Sequence, residues 1–487
     1  MTKKTFLAAS ILLSLQLSVM TGLCFADVSA LLEQAETYKT NDDYLQAEEI
    51  YKTIVKNFPA TADALQAQKE LVILYSKIEM NTYSKAALDK LTADFATYSE
   101  PNDVAQALFD IARQYEWSAK YKEANKVFQQ ILDEQAQSWY VNRADLAVVR
   151  TNIMHFIELG KEQEAQAALD KLPVDFAGHE DLPQAIYDIG KRYEWSHKYE
   201  QANKIYLQLV QKYPDSPWAG KVPLTVPRTN IVSLITEGKD TEAQAAIDKL
   251  VVDFSNHPDL PEALDNIAHR YEWTGKYEKA QSMYQQIAQQ YPDTTYAGTA
   301  PLEISKVNIL SLIDSAKDSE AQTALDSLTV DFKDSRILAV AVSRIAEQYQ
   351  FKAQQLENEG TAKTEDIRDC LSKAIAIWDR VINENKDIVI VPQACSYSGD
   401  CYRKLSEYEK SAACYQKIVD DYPGNIMAWH ALFMVGRNYE DLGKLGLIPK
   451  TEADAKTKAA YEQLVEQYPD CKAAKAAQDW LDRNTSN

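Results

Sequence analysis

A tyrosine, a glutamate and a tryptophan follow one another three times in this sequence, at a fixed spacing of 78 residues. An indole offers a large apolar surface, and tryptophan is enriched among the residues that carry binding energy at interfaces. A carboxylate beside it can pair with a cation or accept a hydrogen bond. The residues best suited to contact a ligand therefore lie in the triplets Tyr115-Glu116-Trp117, Tyr193-Glu194-Trp195 and Tyr271-Glu272-Trp273.

Signatures of catalysis are missing from the sequence. The six histidines are scattered, and 72 acidic residues make any pair of neighbouring carboxylates uninformative. The chain has no His-Glu-x-x-His, no Gly-x-Ser-x-Gly and no glycine-rich phosphate loop. We therefore predict that the protein is not an enzyme, with no catalytic residues and no cofactor.

Five cysteines lie in the C-terminal part of the chain: Cys370, Cys395, Cys401, Cys414 and Cys471. In an exported protein they could form one or two disulfides, with at least one thiol left over because the count is odd. The cluster at 395, 401 and 414 could alternatively bind a metal, but it has no Cys-x-x-Cys spacing and no histidine at ligand spacing. A disulfide or a buried thiol is the favoured interpretation, and no metal site is predicted.

The N-terminus has the pattern of a cleaved signal peptide, residues 1–26. Lys3 and Lys4 precede a short apolar stretch, and small residues at Cys24 and Ala26 fit a cleavage site before Asp27. The apolar stretch is too short and too interrupted to cross a membrane. Lipid attachment at Cys24 is the alternative, disfavoured because Leu23 stands where a lipobox needs a small residue. We predict an exported chain, periplasmic or secreted, that is not a lipoprotein and has no transmembrane span.

The chain is strongly acidic. Its net charge is −20, and loss of Lys3 and Lys4 with the leader would bring it to −22. Nucleic-acid binding requires a basic stripe that releases counterions from the phosphates, and the sequence contains no such run. A nucleic-acid partner is therefore excluded.

Apolar periodicity predicts that each 78-residue unit contains two helical hairpins. One face of a first helix carries Leu264, Ile267, Ala268 and Tyr271 at helical spacing, and Gly275 is placed to end that helix. A second helix follows, with Tyr277, Ala280, Tyr284 and Ile287 on its apolar side and Pro292 as its stop. In the other hairpin of the unit, Pro301 is expected in the first turn of a helix.

This arrangement of small, aromatic and aliphatic residues resembles the tetratricopeptide repeat. Similar patterns occur around Gly399, Tyr402, Tyr408 and Tyr415, and again around Gly436 and Tyr461. Alternate hairpins, such as 144–176 and 223–254, lack the family's glycine and aromatic residues and are tetratricopeptide-like. After Tyr349 and Tyr439 the sequence carries extra residues, 16 and 9 respectively, that would lengthen a helix or form a loop.

The resemblance implies an all-α, right-handed superhelical solenoid of about 11 antiparallel hairpins. The predicted segments are 27–100, two or more tetratricopeptide-like hairpins; 101–333, three 78-residue double hairpins; and 334–487, repeats with insertions, cysteines and a polar capping helix at 471–483. In this family the face of the first helix opposite the core lines a concave groove. The residues that the resemblance assigns to that groove are Arg113, Glu116, Trp117, Lys191, Glu194, Trp195, His269, Glu272 and Trp273.

Two interpretations of the tryptophans remain open at the sequence level. Each indole could pack against the next repeat and close a joint of the stack, or the indoles could face a ligand. In the second case the favoured function is a non-catalytic scaffold or adaptor that binds a protein or extended peptide in the cell envelope. The Tyr-Pro-Asp helix endings, similar to those of bacterial envelope-assembly proteins, agree with that location. The alternative function is binding of a glycan or cell-wall polymer on the tryptophans.

Overall fold

The computed structural model describes residues 25–40, 43–360, 363–384, 389–469 and 471–484, and these residues form 23 α-helices. Nearly all of the predicted signal peptide lies outside the described residues, and the cleavage predicted after Ala26 falls in the first turn of the first helix. None of the helices in the described part of the chain is long and apolar enough to span a membrane. The chain divides into two compact units, residues 1–145 and 146–487.

The first unit contains three helical hairpins. Its helices are α1 (Phe25–Thr40), α2 (Tyr44–Asn57), α3 (Ala62–Lys77), α4 (Asn81–Asp94), α5 (Pro101–Trp117) and α6 (Tyr121–Glu134). Within each hairpin we call the first helix A and the second helix B. The A helices contact one another in sequence, α1 with α3 and α3 with α5, so the hairpins are stacked.

The second unit continues the same pattern of paired helices. Helix α7 (Tyr140–Glu158) crosses the boundary between the units along the chain. The remaining helices are α8 (Glu162–Asp175), α9 (Leu182–Trp195), α10 (Tyr199–Lys212), α11 (Pro217–Thr236), α12 (Asp240–Asp253), α13 (Leu260–Trp273), α14 (Tyr277–Gln290), α15 (Thr295–Asp314), α16 (Asp318–Asp331), α17 (Leu338–Glu359), α18 (Thr364–Glu384), α19 (Ile390–Lys404), α20 (Tyr408–Asp421), α21 (Ala428–Lys444), α22 (Lys450–Gln467) and α23 (Ala474–Asn484).

The hairpin α13–α14 shows how the sequence determines the packing. The predicted stripe on α13 is fully buried, and the facing residues of α14 are buried with it. Gly275 has a φ of 73°, the left-handed conformation that ends a helix, as predicted. Burying both stripes removes the apolar faces of the two helices from water, which is the main force that holds a hairpin together.

Stacking of hairpins gives the second unit an apolar interior along its length, made of three clusters. The A helices from α9 to α19 contact their successors, α9 with α11 through to α17 with α19. One apolar cluster extends from Leu224 to Leu405, and others cover 146–222 and 391–481. The predicted fold class, an all-α stack of about 11 antiparallel hairpins with a C-terminal capping helix, is confirmed.

Two local details of the second unit bear on the sequence predictions: one prediction was wrong, and one open alternative is decided. The prediction that Pro301 lies in a first turn was wrong, because α15 already begins at Thr295, where the side chain of Thr294 caps it. The extra residues after Tyr349 lengthen helices, since α17 and α18 have 22 and 21 residues while α13 and α14 have 14 each.

Glycine allows one close approach in the C-terminal hairpin α21–α22. A β-carbon built at Gly436 would lie 2.2 Å from the ring of Tyr461, which is fully buried. Any side chain at this position would displace the ring. Gly399 and Tyr415 are in an equivalent contact, since a β-carbon at Gly399 would lie 2.8 Å from the Tyr415 ring.

Candidate functional site

The three triplets occupy equivalent places, at the C-terminal ends of α5, α9 and α13. Each helix ends in the same pair of hydrogen bonds between backbone amides and backbone carbonyls. After α13, the Gly275 amide donates to the Glu272 carbonyl (3.0 Å) and the Lys276 amide to the Tyr271 carbonyl (2.8 Å). This is the Schellman arrangement, which requires a left-handed residue after the helix. The backbone of the triplet therefore fixes the turn into helix B.

The tyrosines of the triplets belong to the core, as the helical spacing predicted. Tyr115, Tyr193 and Tyr271 are all buried. Two residues further along the helix, the tryptophan points away from that core because each residue turns the helix by 100°. The two aromatic residues of each triplet therefore have separate roles.

The glutamates are buried in ion pairs. Glu194 on α9 meets Arg228 on α11, with Oε1 and Nη1 2.6 Å apart and a second contact of 2.8 Å between Oε2 and Nη2. Tyr206 donates a hydrogen bond to the same carboxylate (3.1 Å). Burial alone would raise the pKa of Glu194, but the cations of Arg228 and Lys191 outweigh it and hold that pKa below its ordinary value. Glu194 is therefore ionised and links two neighbouring A helices.

Glu272 makes the corresponding link one repeat later. Its carboxylate lies 2.8 Å from Nζ of Lys306 on α15, and Lys306 also contacts Glu303. Arg344 on α17 approaches the other carboxylate oxygen of Glu272 at 3.6 Å. Only 2% of Glu272 is exposed, so the joint between these A helices contains a buried charge network.

Sequence reasoning missed the partners of these glutamates, although a signal exists. Arg228 and Lys306 each lie 34 residues after the glutamate they bind, and both belong to the 78-residue pattern. In the first unit Glu116 is also buried, and Arg113 lies 2.7 Å from it within the same helix. The glutamates were expected to face a groove, and the structure instead places them inside the protein.

The tryptophans are exposed. The exposed fractions of Trp117, Trp195 and Trp273 are 61%, 49% and 63%, which is too much for residues that close a joint between hairpins. Each indole has a cation over its ring, Arg113 at 5.9 Å, Lys191 at 6.0 Å and Arg344 at 4.6 Å. Such contacts restrain the indole while leaving its surface open.

His269 lies one turn before Glu272 and is held by its own helix. Its Nδ1 is 3.3 Å from Oδ2 of Asp265. Burial lowers the pKa of His269, but the hydrogen bond and charge of Asp265 more than compensate and raise it to about 9. The equivalent Lys191 has its pKa lowered by burial, with repulsion from Arg228 adding to the effect.

A polar pocket of about 110 Å³ is lined by the A helices α9 and α11 and by residues at the start of α13. Lys191, Lys221 and Arg228 line one side, and Asp259 and Glu262 line the other. A surface of this kind, with both signs of charge, suits the polar backbone and mixed side chains of a polypeptide.

The cysteines are free thiols in this structure. Cys370, Cys395 and Cys401 are buried, while Cys414 and Cys471 are partly buried. Burial raises the pKa of Cys395 and of Cys401 to about 12, so both thiols are protonated at neutral pH. Across the described residues, no group of histidine, cysteine and carboxylate side chains is arranged to hold a metal ion.

Comparison with protein families identifies the repeats. The model of the tetratricopeptide repeat matches residues 29–61, 106–138, 184–216, 262–294 and 397–425. These segments cover the hairpins α1–α2, α5–α6, α9–α10, α13–α14 and α19–α20. These five segments are therefore tetratricopeptide repeats, set in a longer stack of helical hairpins. All three tryptophan triplets lie in matched hairpins, and the intervening hairpins α11–α12 and α15–α16 lie outside the matches.

Two solved structures that match parts of this chain have low sequence identity and low TM-scores. A tetratricopeptide repeat protein from Parabacteroides merdae ATCC 43184 is 13% identical, with 60% of this chain and 98% of that chain covered and a TM-score of 0.30. The structure of Naa15/Naa10 bound to HypK-THB is 13% identical, with 94% of this chain and 66% of that chain covered and a TM-score of 0.25. No curated protein matches the chain significantly.

Proposed function

We propose that this protein is an exported, non-catalytic scaffold that binds an extended polypeptide partner in the cell envelope through the exposed tryptophans of its A helices. Tetratricopeptide-type repeats typically mediate binding between proteins, and five segments of this chain match that repeat. The observation that carries the proposal is the repeated combination of an exposed indole, a cation over its ring and, at the preceding residue, a buried glutamate in an ion pair. The cation over each ring restrains an apolar anchor at the surface, which reduces the entropy lost on binding.

The spacing of the anchors supports an extended polypeptide. Trp195 and Trp273 lie two A helices apart, and packed helices are about 8–10 Å apart, so the indoles are separated by roughly 16–20 Å. An extended chain advances about 3.3 Å per residue, so five or six residues cover this distance. The charged pocket lies on the same A helices, α9, α11 and α13, and offers partners of both signs.

A glycan is the competing ligand and is less well supported. Successive sugar rings of a polymer would be expected to stack on indoles placed one or two ring lengths apart. Anchors two hairpins apart cannot bind neighbouring rings. Binding of a cell-wall polymer is therefore one result that the affinity capture described next could give, and it would contradict the proposal.

The proposal is tested by affinity capture from an envelope extract of the source organism, followed by titration of the purified partner. We compare the native chain with the triple variant Trp117→Ala, Trp195→Ala, Trp273→Ala. The expected result is one polypeptide that is retained by the native chain and bound at least ten-fold more weakly by the variant. Truncating several hot-spot residues together loses that much affinity.

A matched control exists on the B helices. Val174, Val252 and Val330 repeat with the same 78-residue period, and their exposed fractions are 75%, 74% and 70%. The triple variant Val174→Ala, Val252→Ala, Val330→Ala should bind the partner like the native chain. Equal loss in both triple variants, or retention of a glycan in place of a polypeptide, would contradict the proposal.

Export is tested on its own. The mass and N-terminal sequence of the chain recovered from the envelope fraction should show Asp27 as the first residue. Recovery of the chain from the cytoplasm with residues 1–26 still attached would contradict export. A lipid on Cys24 would mean that the exported chain is anchored to a membrane.

A further inference from the structure

The exposed aromatic residues on the A helices of the second unit, Trp195 and Trp273, form a series that continues along the chain. We call this series the aromatic ladder. One period after Trp273 stands Phe351, in the sequence Tyr349-Gln350-Phe351 on the A helix α17. Tyr349 is buried, as the triplet tyrosines are, and Phe351 is 55% exposed, as the triplet tryptophans are. An exposed aromatic ring at the same place in the repeat is a further candidate for a binding residue.

Gln350 shows that α17 is in register with the helices of the triplets. Its Nε2 donates to the Tyr397 carbonyl (3.2 Å) and lies 2.9 Å from Sγ of Cys401, both on α19, the next A helix. Glu194 makes the same link from α9 to α11 through Arg228. In both places the residue after the buried tyrosine therefore joins neighbouring A helices, and the residue after that faces outward.

Arg344 connects Phe351 to the exposed tryptophans. It lies on α17, and its Cζ is 4.6 Å from the centre of the Trp273 ring on α13. Phe351 follows Arg344 by two helical turns, so both lie on one face of α17, about 10 Å apart along the helix axis. Glu347 lies between them on that face, 3.5 Å from Arg344. The surface that starts at Trp273 therefore continues over α17 to Phe351.

The aromatic ladder ends at α17. In the next hairpin that matches the repeat, α19–α20, the A helix ends at Lys404, and Ser406 has a left-handed φ of 62°, as Gly275 has after α13. Lys404 thus occupies the place of Trp273. Its Nζ lies 2.8 Å from Oε2 of Glu357, in the lengthened part of α17. A charged side chain held in an ion pair offers no apolar anchor.

We infer that Phe351 is a further anchor for the polypeptide partner, and that the partner segment carries apolar side chains at intervals of about five or six residues. The inference rests on the proposed function. Trp195, Trp273 and Phe351 follow one another at two A helices each, so the three anchors cover up to roughly 40 Å of the stack. An extended chain spans this distance with about ten to twelve residues. The outer apolar residues of the segment would contact Trp195 and Phe351, and the middle one Trp273.

The test uses the full-length chain and synthetic peptides of about twelve residues. The peptides are those members of a random phage-displayed library that the native chain enriches, and their dissociation constants are measured by fluorescence anisotropy. We expect Phe351→Ala to bind them about ten-fold more weakly, because truncating an anchor residue loses affinity of this size. Phe351→Trp restores the residue type of the triplets and should bind at least as tightly as the native chain.

Val330→Ala provides a matched control, because Val330 is 70% exposed on the B helix α16 of the preceding hairpin. It should leave the dissociation constants unchanged. Circular dichroism should show the same thermal midpoint for all of these variants, since the substituted side chains are exposed. Equal weakening by Val330→Ala and Phe351→Ala would overturn the assignment of Phe351.

Substitutions in the peptides locate the contact with Phe351. The enriched sequences should share apolar residues about five or six positions apart, and replacing each by serine should weaken binding to the native chain. The replacement at one end should have no further effect on binding to Phe351→Ala, because its contact is already lost, while the other replacements keep their effects. Enriched sequences without this spacing, or equal losses in both chains at every position, would overturn the inference.

The double variant Trp195→Ala, Trp273→Ala separates this inference from the proposed function. Peptides that lose affinity for the double variant but not for Phe351→Ala would leave the tryptophans as the binding site and exclude Phe351 as an anchor. Peptides that bind both variants like the native chain, or failure of the library to yield any binder, would overturn the proposed function and the inference together.

Discussion

At the scale of single residues, the triplet shows what helical spacing can and cannot predict. A rotation of 100° per residue places Tyr271 in the core and Trp273 outside it, as the structure has them. Glu272 lies between these two directions, so its environment depends on what the next hairpin offers. Lys306 offers a cation there, and a contact 34 residues away in sequence cannot be derived from the periodicity of one helix.

The buried ion pair at the α9–α11 joint should be important for stability. Glu194→Gln removes the charge that compensates Arg228, and both side chains are only 9% exposed. Leaving a buried cation without its partner is expected to lower the free energy of unfolding by about 3 kcal/mol, measured as a lower urea midpoint. Since the pair holds the pKa of Glu194 low, its contribution is present above the ordinary carboxyl pKa and is lost as the pH falls below it.

Controls for this prediction lie in the same hairpin. Glu200→Gln removes an exposed carboxylate of α10 and should change the midpoint little. Replacing both partners, Glu194→Leu with Arg228→Met, should recover most of the loss, because an apolar pair leaves no unpaired charge. A double variant as unstable as Glu194→Gln would mean that packing, and not charge, determines the joint.

His269 provides a pH-dependent prediction at the same scale. Its pKa is expected at about 9 in the folded chain, measured by NMR titration with His269→Gln to assign the signal. Because this value exceeds that of free histidine, about 6.5, the pair with Asp265 stabilises the fold fully below pH 6.5 and loses its effect as the pH rises through 9. Asp265→Asn should return the pKa toward its ordinary value. An unshifted pKa in the native chain would contradict the pairing.

At the scale of helices, glycine and proline were only partly informative. Gly275 marks the end of α13 in the sequence, but the equivalent residues after α5 and α9 are Ala119 and His197, with φ of 55° and 58°. Repetition of the whole 78-residue unit, and not the local residue type, identifies those two ends. Pro301 gave a wrong prediction: its residue type suggested the start of a helix, but it lies inside α15, where tertiary packing tolerates it.

Two substitutions at these helix ends should change the stability of the chain in opposite directions. Ala119→Gly should stabilise the chain by about 1 kcal/mol, because a left-handed backbone is unfavourable for any residue with a β-carbon. Gly275→Ala should destabilise it by about the same amount, since the same backbone then carries a side chain. Thermal unfolding followed by circular dichroism measures both. A shift in the same direction for the two variants would show that these φ angles do not control the ends of the helices.

At the scale of the whole molecule, the hairpin count, the 78-residue period and the capping helix were all predictable from the sequence. Each follows from local patterns that recur, and recurrence reveals architecture even where single motifs are weak. The alternation of two kinds of hairpin has a consequence that only the structure shows. The tetratricopeptide hairpins supply the buried glutamate, and the hairpins between them supply its cation, Arg228 on α11 and Lys306 on α15.

The repeating element of this protein should therefore be the double hairpin, and deletions can test it. Removing residues 196–273, one full period, joins Trp195 to Thr274 and gives Glu194 the partner Lys306 in place of Arg228. Because each hairpin contacts only its neighbours, the shortened chain should fold with a thermal midpoint close to that of the native chain. Removing residues 217–259 instead deletes the α11–α12 hairpin and with it Arg228, so Glu194 keeps only Lys191 of its own helix, at 3.9 Å, although fewer residues are lost. This second variant should melt at a clearly lower temperature or fail to fold, as measured by circular dichroism. If both deletions are tolerated equally, single hairpins are interchangeable and the buried ion pairs do not define the repeat.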